Sequence, residues 1–508
     1  MPIYTVRNTD PNTLQDIECD VCIIGSGAGG ATVAARLCEA GKNVVLLEAG
    51  HYDTQADFNM DEGVAFQRRY QEQGLRSSAD LGITVLQGKG VGGSTTINWT
   101  SCFRTPGRIL DIWQDRFGVE ALTSDVLEPH FERVEERLNI QQWQESLVNP
   151  NNQVISNGAK ALGWEANTLR RNVKGCMDSG YCGMGCPANA KQGMLLTHIP
   201  DALQNGLRLY ANTKALRLEE QNGTISAVIA EFGTDKPKTF TIRPKVVVSS
   251  CGAINGPALF LRSGINDNGR VGKRTFLHPV VGLASLFDTP IKGWYGAPQS
   301  VSSHQFIDRG PDKVGFFFEA APTHPILAAT AASNFGMAQQ EFMAQLSHTG
   351  FLIALHVDGV LPDDEGGTVS VASNGKIMLD YPIGPHLQES FKESMKRGAE
   401  LALASGAKMV QSLHFPGVSM ESTADIDQLD GVSYGTLHHG IFTAHQMGGL
   451  CMGSDPKTSV VNDHLQHHRL NNLFVVDGSV FPTSLGVNPS ESIYGIASWA
   501  STHIIAAL

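Results

Sequence analysis

The 508-residue chain predicts an α/β fold. Its centre is a Rossmann-type, doubly wound sheet, and insertions into that sheet build a second, α+β part. Three observations predict this. A strand–glycine turn–helix–strand unit opens the chain in "CDVCIIGSGAGGATVAARLCEAGKNVVLLEAG". An apolar strand returns near the middle in "KVVVSSCGAIN". A third apolar, glycine-bearing segment, "NLFVVDGSVFPTSLGVNPSES", closes the chain. The length also exceeds what one hydrophobic core usually holds, so two intertwined domains are expected.

The first unit is the most informative. Gly25, Gly27 and Gly30 form GxGxxG after a strand and at the opening of a helix, and Glu48 ends the next strand. That is the setting in which the motif binds a dinucleotide. Gly25 permits the tight turn, Gly27 admits a pyrophosphate to the backbone, and Gly30 lets the helix pack on the strand. The helix N-terminus offers free N–H groups to the phosphates. Glu48 can accept hydrogen bonds from a ribose diol. The motif alone does not distinguish one dinucleotide from another.

The second glycine cluster is "GKGVGGSTTINWTSCFR", Gly88 to Arg104. It is a second loop built for close backbone approach to a ligand. Here the sequence resembles the glucose–methanol–choline (GMC) oxidoreductases, FAD enzymes that oxidise alcohols. Gly88, Lys89, Val91, Gly92, Gly93, Ser94, Thr95, Ile97 and Asn98 match the first family signature. "GAINGPALFLRSGI" matches the second loosely: Gly256 and Phe260 depart from it, while Pro257, Ser263 and Gly264 hold. The C-terminal segment matches as well, so the resemblance covers essentially the whole chain. "GYCGMGCPANAKQGMLLTHIPDAL" further resembles the long-chain alcohol oxidase branch and its shorter bacterial relatives.

The resemblance implies FAD, and it names the residues that would hold it: Gly25, Gly27, Gly30, Glu48, Gly92, Gly93, Ser94, Asn98, Asp477 and Gly478. Some family members tether the flavin through a histidine just before the signature asparagine. Ile97 stands there in this chain and cannot form that bond, so the FAD is expected to be non-covalent. The resemblance also implies a discontinuous FAD-binding domain over residues 15–105, 195–285 and 440–508. Residues 106–194 and 286–439 are left for the substrate-binding domain. Within the latter, "THPILAATAASNFGMAQQEFMAQL" is expected as one helix, and "GGTVSVASNGKIMLDYPI" as a hairpin with Asn374-Gly375 at its tip.

His445 in "TAHQMGGLCMG" and Asn488 in "FPTSLGVNPSES" are the catalytic pair that the resemblance implies. The chemistry requires such a pair. Alcohol oxidation removes a hydride from carbon and a proton from oxygen. The flavin takes the hydride, an imidazole suits the proton, and a second polar group holds the developing alkoxide. Asn488 cannot act as a base, so His445 is expected to be the base. The substrate is expected to be a small-molecule primary alcohol of apolar type. The competing classes are a lyase with a silent flavin, an electron relay, and an oxidase that uses dioxygen instead of a protein or quinone acceptor.

"GCMDSGYCGMGCPANAK" places Cys176, Cys182 and Cys186 in a glycine-rich loop, residues 175–191. Its Cys-x3-Cys-Pro ending is similar to ferredoxin cluster runs. The full spacing resembles a GMC dehydrogenase subunit that holds a [3Fe–4S] cluster. A structural loop of reduced thiols, zinc or a disulfide are the other readings. The formal net charge of −12 argues against nucleic acid. The N-terminus lacks the pattern of a secretory signal and no run is long enough to span a membrane, so a cytoplasmic location is expected.

Overall fold

The computed structural model describes residues 3–332 and 334–508. The opening strand Ile17–Ile24, the helix Ala28–Glu39 and the strand Val44–Leu47 form the expected unit. The two strands pair in parallel, with Val21 opposite Val44 and Ile24 opposite Leu47. Val44–Leu47 is apolar at all four positions and wholly buried, as a strand covered on both faces must be. Arg208–Tyr210 extends the sheet in parallel beyond it. On the other side lies the long strand Lys238–Ser249, parallel to the opening strand from Ile242 to Ser249. Its start pairs antiparallel with Thr224–Phe232, and its end runs parallel to Leu473–Val475. The closing C-terminal segment therefore adds its strand to Lys238–Ser249 on the side away from the opening strand. The final helix, Ser490–Ala506, packs against the opening helix.

A second, antiparallel sheet carries Met409–Ser412, Val280–Leu286, Thr349–His356, Phe316–Ala320 and Val301–Ser303 in that spatial order. Its strand Val280–Leu286 and the Phe442–Thr443 pairing lie in spans that the sequence assigned to the FAD-binding part. The second sheet thus reaches into the joint, and His278 stands just before that strand.

Alternation along these strands separates two apolar faces. Leu283, Phe316, Phe318, Leu352 and Ala354 join one core with Ile155, Phe391 and Met395, from the helices Pro150–Leu162 and Pro385–Ala404. Val280, Phe317, Ile353 and Leu355 form a separate cluster with Trp99 and Phe442.

The hairpin is present: Thr368–Val371 pairs antiparallel with Ile377–Asp380, and Gly375 takes the left-handed conformation at the tip. The expected single helix is instead two, Pro325–Ala331 and Met337–Ala344. Gly336, with φ +62°, caps the second and is incompatible with a continuous helix. Ser333, between them, lies outside the described residues. No helix among the described residues is long and apolar enough to cross a membrane.

Candidate active site

A cavity of about 820 Å³ runs along the joint between the two sheets. The opening glycine turn lines one region. Gly25, Gly27 and Glu48 face it there, with Gly93, Ser94 and Asn98 from the second glycine cluster. The two clusters touch. A Cβ on Gly93 would sit 2.7 Å from Cα of Gly27, and Gly93 has φ +55°. Ser26 joins them chemically: its Oγ donates to Glu48 at 2.6 Å and accepts the Gly92 amide at 3.1 Å. Gly92 stands at the head of the short turn Gly93–Thr96. Gly30 does not line the cavity; a Cβ there would meet the Gly25 carbonyl at 2.0 Å, which is the packing task assigned to it.

Glu48 is anchored by the protein itself. It accepts the Ser26 amide and hydroxyl on one oxygen and the Gly50 amide, at 2.8 Å, on the other. A carboxylate has about four lone-pair sites, so capacity for a diol remains. Asp477 accepts the Gly252 amide at 2.7 Å and the Ser479 amide at 2.8 Å, which pins the turn Gly478–Val480 against the cavity. Burial raises the pKa of both carboxyls.

In the same cavity His445 and Asn488 meet, 3.4 Å apart between Nε2 and Nδ2. They lie 43 positions apart in sequence, and both line the cavity. Burial pushes the His445 imidazole down to about 4, so it is neutral at physiological pH. Two further groups, not singled out by the sequence reading, complete the site. His278 Nδ1 lies 3.1 Å from His445 Nδ1, and His278 Nε2 accepts the Gly486 amide at 3.0 Å. An amide can only donate, so neutral His278 holds its proton on Nδ1 and gives it to His445 Nδ1. Asn488 Nδ2 can likewise only donate, and the His445 tautomer with Nε2 free would suit it; the two demands compete, and the 3.4 Å contact is longer than the 3.0 Å Gly486 bond.

The second group is Glu319, in the strand Phe316–Ala320. It is fully buried and accepts Gln299 Nε2 at 2.6 Å and Asn488 Nδ2 at 3.3 Å on a single oxygen. Its other oxygen has no partner, and burial pushes the carboxyl up to about 8. Both groups were illegible because each acts across the joint from a segment with no motif. The unexplained buried "FFFEA" acid was the one available signal.

The cysteine run is a correction. Among the described residues no group of three or more His, Cys, Asp and Glu is arranged to hold a metal, and all nine cysteines are free thiols. The [3Fe–4S] expectation for Cys176, Cys182 and Cys186 is not supported, and the disulfide and zinc readings fail with it. Other bonds hold the run. Tyr181–Met184 is a 3-10 turn, Tyr70 donates to the Gly183 carbonyl at 2.7 Å, and Lys191 donates to the Cys182 carbonyl at 2.6 Å. Cys182 thus contributes its backbone.

Family models for the N- and C-terminal parts of GMC oxidoreductases match residues 66–280 and 362–497, and a Rossmann-like NAD(P)-binding model matches residues 23–53. A GMC-type oxidoreductase of Mycobacterium tuberculosis, Rv0492c, of uncharacterised function, is 30% identical over 94% of this chain and 75% of that protein. The chain belongs to the GMC oxidoreductases. This GMC protein is also 29% identical to the long-chain-alcohol oxidase FAO4A of Arabidopsis thaliana, over 98% of this chain and 70% of that one. Pyridoxine 4-oxidase of Mesorbium loti shares the fold with a TM-score of 0.71 at 18% identity, covering 96% of this chain and 99% of that one. Formate oxidase does so with a TM-score of 0.72 at 15% identity, covering 97% and 99%.

The family implies FAD, and the residues present fit it. The GxGxxG turn meets a helix N-terminus, and the Gly27–Gly93 contact leaves no room for side chains where a pyrophosphate must approach. The buried Oδ1 atoms of Asn98 and Asn488 have no protein partner, and both residues line the cavity.

Proposed function

We propose that this GMC oxidoreductase oxidises an apolar primary alcohol, of medium or long chain or aromatic, to the aldehyde. The observation that carries the reading is the convergence of His445 and Asn488 in the cavity that the dinucleotide turn also lines, together with the apolar side chains Trp99, Val280, Ile353, Leu355 and Phe442. Those side chains exclude water and bind a hydrocarbon. FAD, when bound, supplies the hydride acceptor. Gly25, Gly27, Gly30, Glu48, Gly92, Gly93, Ser94, Asn98, Asp477 and Gly478 would hold it, without a covalent tether because Ile97 offers none. The names of the long-chain-alcohol oxidase relatives support this substrate class.

His445 and Asn488 receive the hydroxyl. Asn488 donates to the oxygen as charge develops, and His445 Nε2 takes the proton. For that, Nε2 must carry no proton, so both neutral rings take the other tautomer, His445 with its proton on Nδ1 and His278 with its proton on Nε2, which breaks the Gly486–His278 bond at a cost of about 1–3 kcal/mol. The neutral Glu319 carboxyl leaves no opposing charge behind Asn488. The nine free thiols fit a reducing, cytoplasmic setting.

The test is an anaerobic screen of alcohols scored by bleaching of the flavin absorbance. Bleaching by apolar primary alcohols supports the reading; a flavin that no alcohol reduces rejects it in favour of a lyase or a relay. Reoxidation by dioxygen, by a quinone or by an artificial acceptor then sorts oxidase from dehydrogenase.

A further inference from the structure

Lys191 closes the run that begins at Cys176, and it is the one lysine among the described residues that is buried, at 4% exposure. Its Nζ donates to three backbone carbonyls, those of Thr96 and Asn98 at 2.7 Å and of Cys182 at 2.6 Å. All three N–H groups of the ammonium are thereby used. No carboxylate among the described residues pairs with it. Carbonyl dipoles solvate this cation but leave its charge uncancelled, which is unusual for a buried ion. Burial lowers its pKa to about 8, so the charge persists at neutral pH.

The position of the charge gives it a consequence. Two of the three carbonyls belong to the signature segment, whose Thr95, Ile97, Asn98 and Trp99 line the cavity. The ammonium sits behind that wall, one peptide layer from the ligand side, where little water screens it. The cysteine run supplies the third carbonyl and so fixes the lysine in place. A flavin gains negative charge when it is reduced, and a positive charge behind the wall favours that state over the oxidised one. We propose that Lys191 is a positioning residue for the cofactor, whose ammonium clamps the Thr96 and Asn98 carbonyls and makes the bound flavin easier to reduce. The proposal rests on the reading of this cavity as the FAD site.

The test is the midpoint potential of the FAD-loaded protein for wild type, Lys191→Met and Lys191→Arg. Met keeps the length and removes the charge; Arg keeps the charge. The expected result is an about tenfold shift toward the oxidised cofactor in Lys191→Met, roughly 30 mV for a two-electron couple, largely restored in Lys191→Arg. A merely structural role would lower FAD content in both variants and leave the potential of the loaded fraction unchanged; that result overturns the proposal. Where neither variant holds FAD, the wild-type protein decides. Its reduced form should hold the lysine proton more tightly, so above about pH 8 its potential should fall more steeply, by roughly 30 mV per pH unit. A profile without that steeper region overturns the proposal. A wild-type protein with no flavin would reject the cofactor reading itself, whereas a normal flavin with an unmoved potential rejects Lys191 alone.

Discussion

At the residue scale, His445 is half-buried at the cavity and Glu319 is fully buried, and loss of solvation has opposite consequences for them. It disfavours the charged form of each. The imidazole therefore stays neutral down to about pH 4, and the carboxyl stays neutral up to about pH 8. Between those limits the pair has the protonation that proton abstraction requires. The rate of flavin reduction by alcohol should follow a bell, lost below about 4 as His445 protonates and lost above about 8 as a carboxylate forms beside Asn488. Glu319→Gln should remove the alkaline limb, read by stopped-flow reduction across pH. A limb that survives in Glu319→Gln and vanishes in Lys191→Met belongs to the lysine. His445→Ala should retain FAD yet lose reduction by about 100-fold or more, the usual scale for a general base. Near wild-type reduction in that variant would move the base to another residue.

At the element scale, the site depends on backbones that come closer than side chains permit. A Cβ on Gly29, in the first turn of the opening helix, would lie 1.8 Å from the Val476 carbonyl, so this helix can start only where glycine lets it rest on the closing strand's end. Gly93 meets Gly27 in the same way while holding a left-handed backbone. Gly93→Ala is expected to lower FAD content sharply while leaving far-UV circular dichroism close to wild type, because the clash is confined to the cradle. Full occupancy in that variant would show that the cradle opens more readily than its contacts imply. The motif glycines were legible in the sequence because their spacing is local. Gly29 was not, since its partner lies more than 400 residues away.

At the scale of the whole molecule, two sheets meet along one cavity, and a ligand filling it touches both. Binding to the folded state alone should raise the melting temperature with added FAD, by a free energy of about 2.7 kcal/mol at one hundred times Kd. With Ile97 in the tethering position, acid precipitation should release the yellow colour into the supernatant. Colour retained by the washed pellet would reveal an attachment residue elsewhere.

The sequence by itself determined the dinucleotide unit, the hairpin at Asn374-Gly375 and the family. Each rests on a pattern of neighbours along the chain: a glycine spacing, a two-residue turn, an ordered set of motifs. It also marked His445 and Asn488, each by the motif around it. Only the tertiary structure decided what lies around them. His278 reaches His445 across 167 positions and Glu319 reaches Asn488 across 169, and no local pattern records either contact. The cysteine run shows the same limit from the other side. Its spacing resembles a cluster site, but a metal requires side chains that converge on one point, and spacing along a glycine-rich loop does not fix where thiols point. The fold directs the Cys182 carbonyl to a buried ammonium, because a lysine inside the protein must find acceptors for all three of its protons and the backbone of the cavity wall was within reach.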